Sequence, residues 1–278
     1  MSQDSTGLPG ARYTSQTVLD KVVWVPGQLF SLRVTRDPDY RFTPGQFARI
    51  GLPIAGGAES GPTPEWRAYS MVSRADEDAL EFYSVVVPDG KFSPALASLV
   101  PGDTLWVDKT AFGFLTLERF VDGEDLWLIA TGTGLSAYLS MLRDPATWQR
   151  FSRIVLVHGV RHSGELAYRA ELLDLVARHS GGQSGLLTYL PVTSREATNP
   201  FLFNALRPDL LSPARITSLL DSGELEERVG LTLDGARSRV MLCGNPAMVT
   251  DLRAMLGTRG FAAGRRGVAG NLAVENYW

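Results

Sequence analysis

The periodicity of this chain changes near residue 120, and neither a single sheet nor a helical bundle accommodates both parts. Before that point apolar residues recur at every second position. Phe30, Leu32 and Val34 alternate with Ser31, Arg33 and Thr35, the spacing that turns one face of a strand to a core and the other to water. Strand-like runs also fall at 17–25, 46–52, 67–73, 80–87 and 104–109. Turn residues divide them: Asp37-Pro38, Pro44-Gly45, Pro88-Asp89-Gly90 and Pro101-Gly102-Asp103. Several short strands separated in this way predict an antiparallel barrel or sandwich. One short helix interrupts them, with Ser93 as N-cap, Pro94 at the first helical position and a continuation to Val100. The Gly/Pro/Ala-rich stretch Pro53 to Pro64 reads as a surface loop.

After Leu117 the pattern becomes strand, turn, helix, repeated. Leu126 to Ala130 is an unbroken apolar run, as expected of a parallel strand covered on both faces. Thr131-Gly132-Thr133-Gly134 follows, then a helix through Met141. A second repeat joins the strand Ile154–Val157 to a helix from about Gly164 to Arg178, with Leu166, Ala170, Leu173 and Ala177 on one face. A third strand, Leu186 to Val192, leads through a long loop to helices between Pro213 and Val229. A fourth, Val240 to Cys243, precedes Gly244-Asn245-Pro246 and a helix to about Leu256. The expected fold is all-β plus α/β: an antiparallel β-barrel over 14–118, then a doubly wound parallel-sheet domain over 119–278. Residues 1–13 are expected to be a disordered or extended tail.

Composition narrows the function. The 278 residues suit two domains, and 44% hydrophobic with 21% charged residues excludes a disordered chain. A net charge of -3 argues against bulk binding to nucleic acid or anionic membrane. One cysteine excludes an internal disulfide and an iron–sulfur cluster held within the chain. His158, His162 and His179 are scattered, so no metal site is expected. Neither a secretory leader nor a membrane-spanning run is legible, so a soluble, cytoplasmic protein is expected.

Four places could carry chemistry. Gly132-x-Gly134-x-x-Ala137 lies between a strand and a helix, where backbone N–H groups can hold a pyrophosphate; two glycines can also merely close a tight turn. The acidic residue that would bind a ribose hydroxyl at the end of the second strand is missing. Arg161 stands there instead, which favours a 2′-phosphate and hence NADP. Arg195 and Arg215 could converge on the same phosphate, although each alone reads equally as a solvated arginine. In Arg67-Ala68-Tyr69-Ser70, Arg67 and Tyr69 share one strand face and Ser70 the other, an arrangement suited to a phosphate and a planar ring. Cys243-Gly244-Asn245-Pro246 occupies the carboxyl end of a strand, where open α/β sheets bind ligands, though a lone cysteine also packs as a small hydrophobe. The segment Glu275-Asn276-Tyr277-Trp278 sets two adjacent aromatics.

Together with Pro44-Gly45-Gln46-Phe47, these motifs resemble bacterial ferredoxin (flavodoxin)–NADP reductases, standing in that family's order from about residue 14 onward. Ala137 stands where that family usually has proline, and 197–212 looks like an insertion. The resemblance implies an FAD-binding barrel followed by an NADP-binding domain. It implies that Arg67 contacts the FAD pyrophosphate, that Tyr69, next to Ala68, lies against the isoalloxazine, and that Ser70 sits by flavin N5. Tyr83, Ser84 and Val85 would line the flavin, and Lys91, Phe92 and Ser93 would meet the pyrophosphate. Thr133 would approach both flavin and nicotinamide, Trp278 would stack on the FAD adenine, and Tyr277 would lie near the nicotinamide entrance. Gly134, Arg161, Arg195, Arg215, Cys243, Gly244 and Asn245 would bind NADP. Ser70, Cys243 and Glu275 would surround the hydride path. The implied activity is FAD-mediated hydride transfer with NADP(H), coupled to one-electron exchange with ferredoxin or flavodoxin, in a monomer. A reductase with another acceptor and a non-catalytic flavoprotein sensor are the alternative readings.

Overall fold

A computed structural model describes residues 12–54, 63–181, 185–197, 212–265 and 268–276. Its contacts divide the chain into two compact units. The first comprises the described residues up to Thr116 with Leu139–Arg143; the second comprises Leu117–Tyr138 and those from Asp144 onward.

The first unit is built on six strands: β1 (Tyr13–Val25), β2 (Leu29–Thr35), β3 (Phe47–Ile54), β4 (Thr63–Ser70), β5 (Ala79–Val85) and β6 (Thr104–Asp108). Helix α1 (Phe92–Ser98) lies between the last two. The strand order is β4-β3-β6-β1-β2-β5, every neighbouring pair antiparallel. The alternation read from β2 places Phe30, Leu32 and Val34 in a core shared with Ile50, Leu80 and Phe82. The outermost strands of that order, β4 and β5, meet through a bridge between Met71 and Phe82 and a bond from Val72 N–H to the Glu81 carbonyl at 2.8 Å. The sheet therefore curls into a barrel joined at one point.

Local departures have local causes. Ser31, expected to face water, is buried because Trp24 donates its indole N–H to the Ser31 hydroxyl at 2.7 Å and covers it. The fourth strand begins at Thr63 and ends at Ser70 rather than spanning 67–73, since Met71 and Val72 leave it to meet β5. The ends of the expected surface loop are strand: Pro53 pairs with Pro64 and Ile54 with Thr63. Residues 55–62 lie outside the described residues. Helix α1 starts earlier than predicted, with Lys91 rather than Ser93 as its N-cap. Ser93 instead accepts from Val87 N–H at 2.9 Å through its hydroxyl. Pro94 thus sits third in the helix, which a first turn tolerates because its N–H groups have no intrahelical acceptor.

The second unit carries five strands: β7 (Asp125–Thr131), β8 (Arg153–Val160), β9 (Leu186–Thr193), β10 (Ser238–Gly244) and β11 (Leu272–Asn276). All pair in parallel, in the order β11-β10-β7-β8-β9. Connecting them are α2 (Leu135–Arg143), α3 (Pro145–Arg150), α4 (Arg169–Arg178), α5 (Ile216–Ser222), α6 (Glu224–Val229) and α7 (Pro246–Thr258). Trp127, Ile129, Val155, Val157, Val240 and Leu242 are among the sheet residues in the core, with Leu190 and Val192 of β9 and Leu272 of β11. The C-terminal half of α2 groups with the barrel, where Ser140 donates to the Ser73 carbonyl at 2.7 Å and Arg143 pairs with Glu81 at 2.7 Å.

Two sequence expectations fail here. Helix α4 begins at Arg169, not near Gly164, because Ser163–Glu165 forms a 3₁₀ turn and Tyr168 takes a left-handed φ of 57°. Its buried positions are Leu172 and Leu175, whereas Ala170 and Ala177 are exposed. Strand β11 was not anticipated at all; Leu272-Ala-Val-Glu-Asn is short and carries no breaker-bounded apolar run. Among the described residues no helix is long and apolar enough to cross a membrane, and no group of three or more His, Cys, Asp or Glu could hold a metal ion.

Candidate functional site

In the first unit, the Met71–Phe82 bridge has an unbridged gap beside it. Among the described residues no pairing joins β4 to β5 on the Ser70 side of Met71 or the Tyr83 side of Phe82. Arg67–Ser70 therefore forms one lip of a seam and Tyr83–Val85 the other. Burial raises the Tyr69 pKa, opposed by the Ser84 side chain of the other lip and by Arg67, so the ring is a neutral phenol at pH 7. Phe92, the first residue of α1, stacks on Tyr69 at 6.1 Å, and the Arg67 guanidinium lies 5.7 Å from the Phe92 ring centroid. Arg67 and Tyr69 thus share a face while Ser70 turns inward, 3% exposed. Arg67 also pairs with Glu65 at 3.1 Å and donates to the Trp66 carbonyl at 2.8 Å. Ala68 is exposed, as is Lys91, and Ser93 is committed to Val87.

The Ser70 hydroxyl is buried without a partner among the described residues. Such a group costs roughly 1–3 kcal/mol unless something bonds it. A buried orphan hydroxyl, a stacked aromatic pair and a surface arginine on one seam fit a flat ring with a hydrogen-bonding edge and an attached phosphate. That is the chemistry of FAD.

In the second unit the strand order reverses between β7 and β10, and two glycine-bearing turns leave the sheet at that switch point. Gly132–Gly134 is a 3₁₀ turn with Gly132 at φ 53°, running directly into α2. The other turn, Cys243-Gly244-Asn245, starts α7. The two interlock. A Cβ on Gly134 would stand 2.6 Å from the Cys243 carbonyl oxygen, and one on Gly244 would stand 2.6 Å from that of Thr131. The Thr131 hydroxyl accepts the Asn245 N–H at 2.9 Å and fixes the pair. The Asn245 side chain caps α7, accepting from Ala247 N–H at 2.9 Å and Met248 N–H at 3.2 Å. Its Oδ1 and backbone N–H are therefore committed, and the Nδ2 amide is the part that can donate to a ligand. Thr133 is buried beneath the turn, and its carbonyl accepts from Ser136 at 2.8 Å.

Cys243 is fully buried, with Ala130 of β7 on one side in register and Glu275 of β11 on the other. Burial pushes the Glu275 carboxyl up to about 7, and one of its oxygens, Oε2, has no partner among the described residues. It therefore titrates across neutrality. A phosphate reading also fits this unit: two turns present backbone at a switch point, with a close approach that side chains would block.

The three predicted arginines come together on the carboxyl side of β8 and β9. Arg195 N–H donates to the Arg161 carbonyl at 3.0 Å, and Ala214, next to Arg215, donates to the Thr193 carbonyl at 2.9 Å. All three side chains are exposed. Arg161 is already engaged by Glu165, whose carboxylate it meets at 2.9 Å and 3.0 Å. Glu196 further ties the loops by accepting from Ser163 N–H at 2.6 Å and from the Ser163 hydroxyl. These two carboxylates had no signal in the sequence, being 4 and 33 residues from their partners. Thr131 and the buried His158, which touches the Gly132 carbonyl, were also unread. Tyr277, Trp278 and most of the 197–212 segment lie outside the described residues.

Residues 128–254 match the family model of the oxidoreductase NAD-binding domain. The chain is 40% identical over 272 residues to ferredoxin–NADP reductase A of Sorangium cellulosum strain So ce56, covering 96% of this chain and 90% of that one. It is 42% identical over 223 residues to the flavodoxin/ferredoxin–NADP reductase of Escherichia coli K12, covering 80% and 82%. A crystal structure of a ferredoxin NADP+ reductase from Neisseria gonorrhoeae with bound FAD and NADP superposes with a TM-score of 0.85 at 34% identity, over 96% of this chain and 100% of that one. At these identities and coverages, the chain belongs to the ferredoxin–NADP reductase family.

Proposed function

We propose that this protein is a ferredoxin/flavodoxin–NADP reductase, passing a hydride between NADP(H) and FAD and single electrons to or from ferredoxin or flavodoxin. The observation that carries the nucleotide half is the pair of interlocked turns at the switch point, with three arginines grouped beyond the neighbouring strands. FAD, when bound, supplies the exchange between electron pairs and single electrons, which no side chain of this chain can perform.

The residues have distinct tasks. Arg67 holds the FAD pyrophosphate as its exposed guanidinium exchanges Glu65 for phosphate. Tyr69, braced by Phe92, gives the ring a flat, neutral wall. Ser70 offers its unpaired hydroxyl to the polar ring edge, and the backbone of Tyr83–Val85 supplies further bonds along the seam. In the second unit, the turn amides of Thr133 and Gly134 receive the pyrophosphate of NADP, and Arg195 and Arg215 its 2′-phosphate, with Arg161 a weaker partner behind Glu165. Cys243, backed by Gly244 and Asn245, sets the nicotinamide position. Glu275, its carboxyl pushed up to about 7 by burial, holds an exchangeable proton beside it. The working form proposed is a cytoplasmic monomer.

The test is spectroscopic. Anaerobic NADPH should bleach the yellow purified protein, and ferredoxin or flavodoxin should then restore the colour. A yellow protein that NADPH leaves unchanged would make it a sensor rather than a reductase. Recovery with free flavin alone would replace the proposed acceptor.

A further inference from the structure

We propose that His158 is a positioning residue that locks the Gly132–Thr133 peptide so that the Thr133 N–H faces the NADP pyrophosphate. The inference rests on the reading that this turn receives the pyrophosphate. His158 lies in the buried run of β8, in register with Ala130 of β7 and Pro191 of β9. It is fully buried, and its Nε2 lies 3.1 Å from the Gly132 carbonyl oxygen. A carbonyl can only accept, so Nε2 carries the hydrogen and Nδ1 is left as a bare acceptor. That Nδ1 has no partner among the described residues.

A buried imidazole with one satisfied nitrogen is a poor packing choice; leucine or phenylalanine would fill the space without an unpaired acceptor. The chain keeps a costly group whose single bond is to the Gly-rich turn. Burial holds the ring neutral, with a pKa lowered to about 4, so the contact persists across physiological pH.

The effect on the turn follows from peptide geometry. In a trans peptide the C=O and the next N–H point in opposite directions. Drawing the Gly132 carbonyl towards His158 therefore turns the Thr133 N–H away from His158. The same carbonyl accepts the Leu135 N–H at the start of α2, using its second lone pair. Gly132 sits at φ 53°, a left-handed conformation that glycine takes without strain, so the His158 bond adds to the Leu135 bond in fixing which way its carbonyl points.

The test compares His158→Leu and His158→Gln with wild type as FAD-loaded proteins. Leucine removes the donor; glutamine retains an N–H at similar reach. The expected result is that H158L weakens NADP+ binding roughly three- to tenfold, the worth of one buried hydrogen bond. H158Q should recover most of that loss. FAD content and the affinity for adenosine 2′-monophosphate, which has no pyrophosphate, should stay unchanged in both. Hydrogen exchange of a peptide spanning 131–138 separates the two layers of the argument. Protection by NADP+ in wild type but not in H158L supports the proposal. Equal protection and equal affinity in wild type and H158L overturn the role of His158 alone. No protection in wild type overturns the pyrophosphate reading and the proposal with it. Should H158L fail to fold, nitrogen-15 spectra of wild type decide: a ring at pH 7 that is charged, or protonated at Nδ1 instead of Nε2, refutes it.

Discussion

Glu275 gives the most exacting test of the second unit's electrostatics. Burial raises its carboxyl from 4.5 to about 7, and its Oε2 has no partner among the described residues. The sign follows from proton linkage. Between those values the native state binds more protons than the unfolded chain, so stability falls as pH rises and the loss is complete above about 7. A shift from 4.5 to about 7 corresponds to about 3 kcal/mol at roughly 1.4 kcal/mol per pH unit. Glu275→Gln cannot ionise, and it mimics the protonated acid in shape. At pH 8 it should stabilise the protein by about 3 kcal/mol, a rise in melting temperature of roughly 6–12 °C for a unit of this size. At pH 4 to 4.5 both forms are neutral in the native state and the gain should vanish. Thermal unfolding of the FAD-loaded wild type and variant, run in parallel at pH 4.5, 6 and 8, reads the whole curve. An increment that is the same at all three values would mean that Glu275 keeps an ordinary pKa, and the reasoning from its burial would be wrong.

The remaining expectations concern the phosphate and the turns. Arg195→Ala and Arg215→Ala should each weaken NADPH relative to NADH by about 1.5–3 kcal/mol, while Arg161→Ala costs less because Glu165 already occupies that guanidinium. Steady-state KM values for the two nucleotides check this, and parallel losses for both would remove the 2′-phosphate from these residues. Gly134→Ala drives a methyl to 2.6 Å from the Cys243 carbonyl, so it should destabilise by about 1–3 kcal/mol and weaken NADP+ together. Unaltered melting would show that the two turns do not interlock.

The sequence yielded what short-range chemistry encodes. The alternation of Phe30, Leu32 and Val34 announced a half-buried strand, and the unbroken run from Leu126 to Ala130 a strand covered on both faces. The glycine turn after β7 was legible because strand, turn and helix are contiguous. What remained hidden depends on neighbours distant in the chain. Ser31 is buried by Trp24, the register that sets His158 beside Ala130 comes from strand pairing, and β11 exists because β10 offers it a ladder. The Glu165 and Glu196 carboxylates are ordinary surface residues until the loops after β8 and β9 are brought together. Helix α1 misled for a different reason: a serine one residue before a proline satisfies the capping rule, yet Ser93 spends its hydroxyl on Val87 instead.

The junction at Met71–Phe82, the one bridge between the β4 and β5 edges among the described residues, also bears on how the protein survives before it is loaded. An unpaired strand lip carries a row of backbone donors and acceptors that another chain's strand can copy onto, the usual start of edge-to-edge aggregation. The Arg67–Ser70 lip here, on the side of β4 away from β3, is one proposed to take the flavin. Cofactor supply would then govern solubility as well as activity. Chains made faster than FAD becomes available would be lost to self-association, and riboflavin added during expression would raise the yield of soluble protein even for variants that cannot turn over.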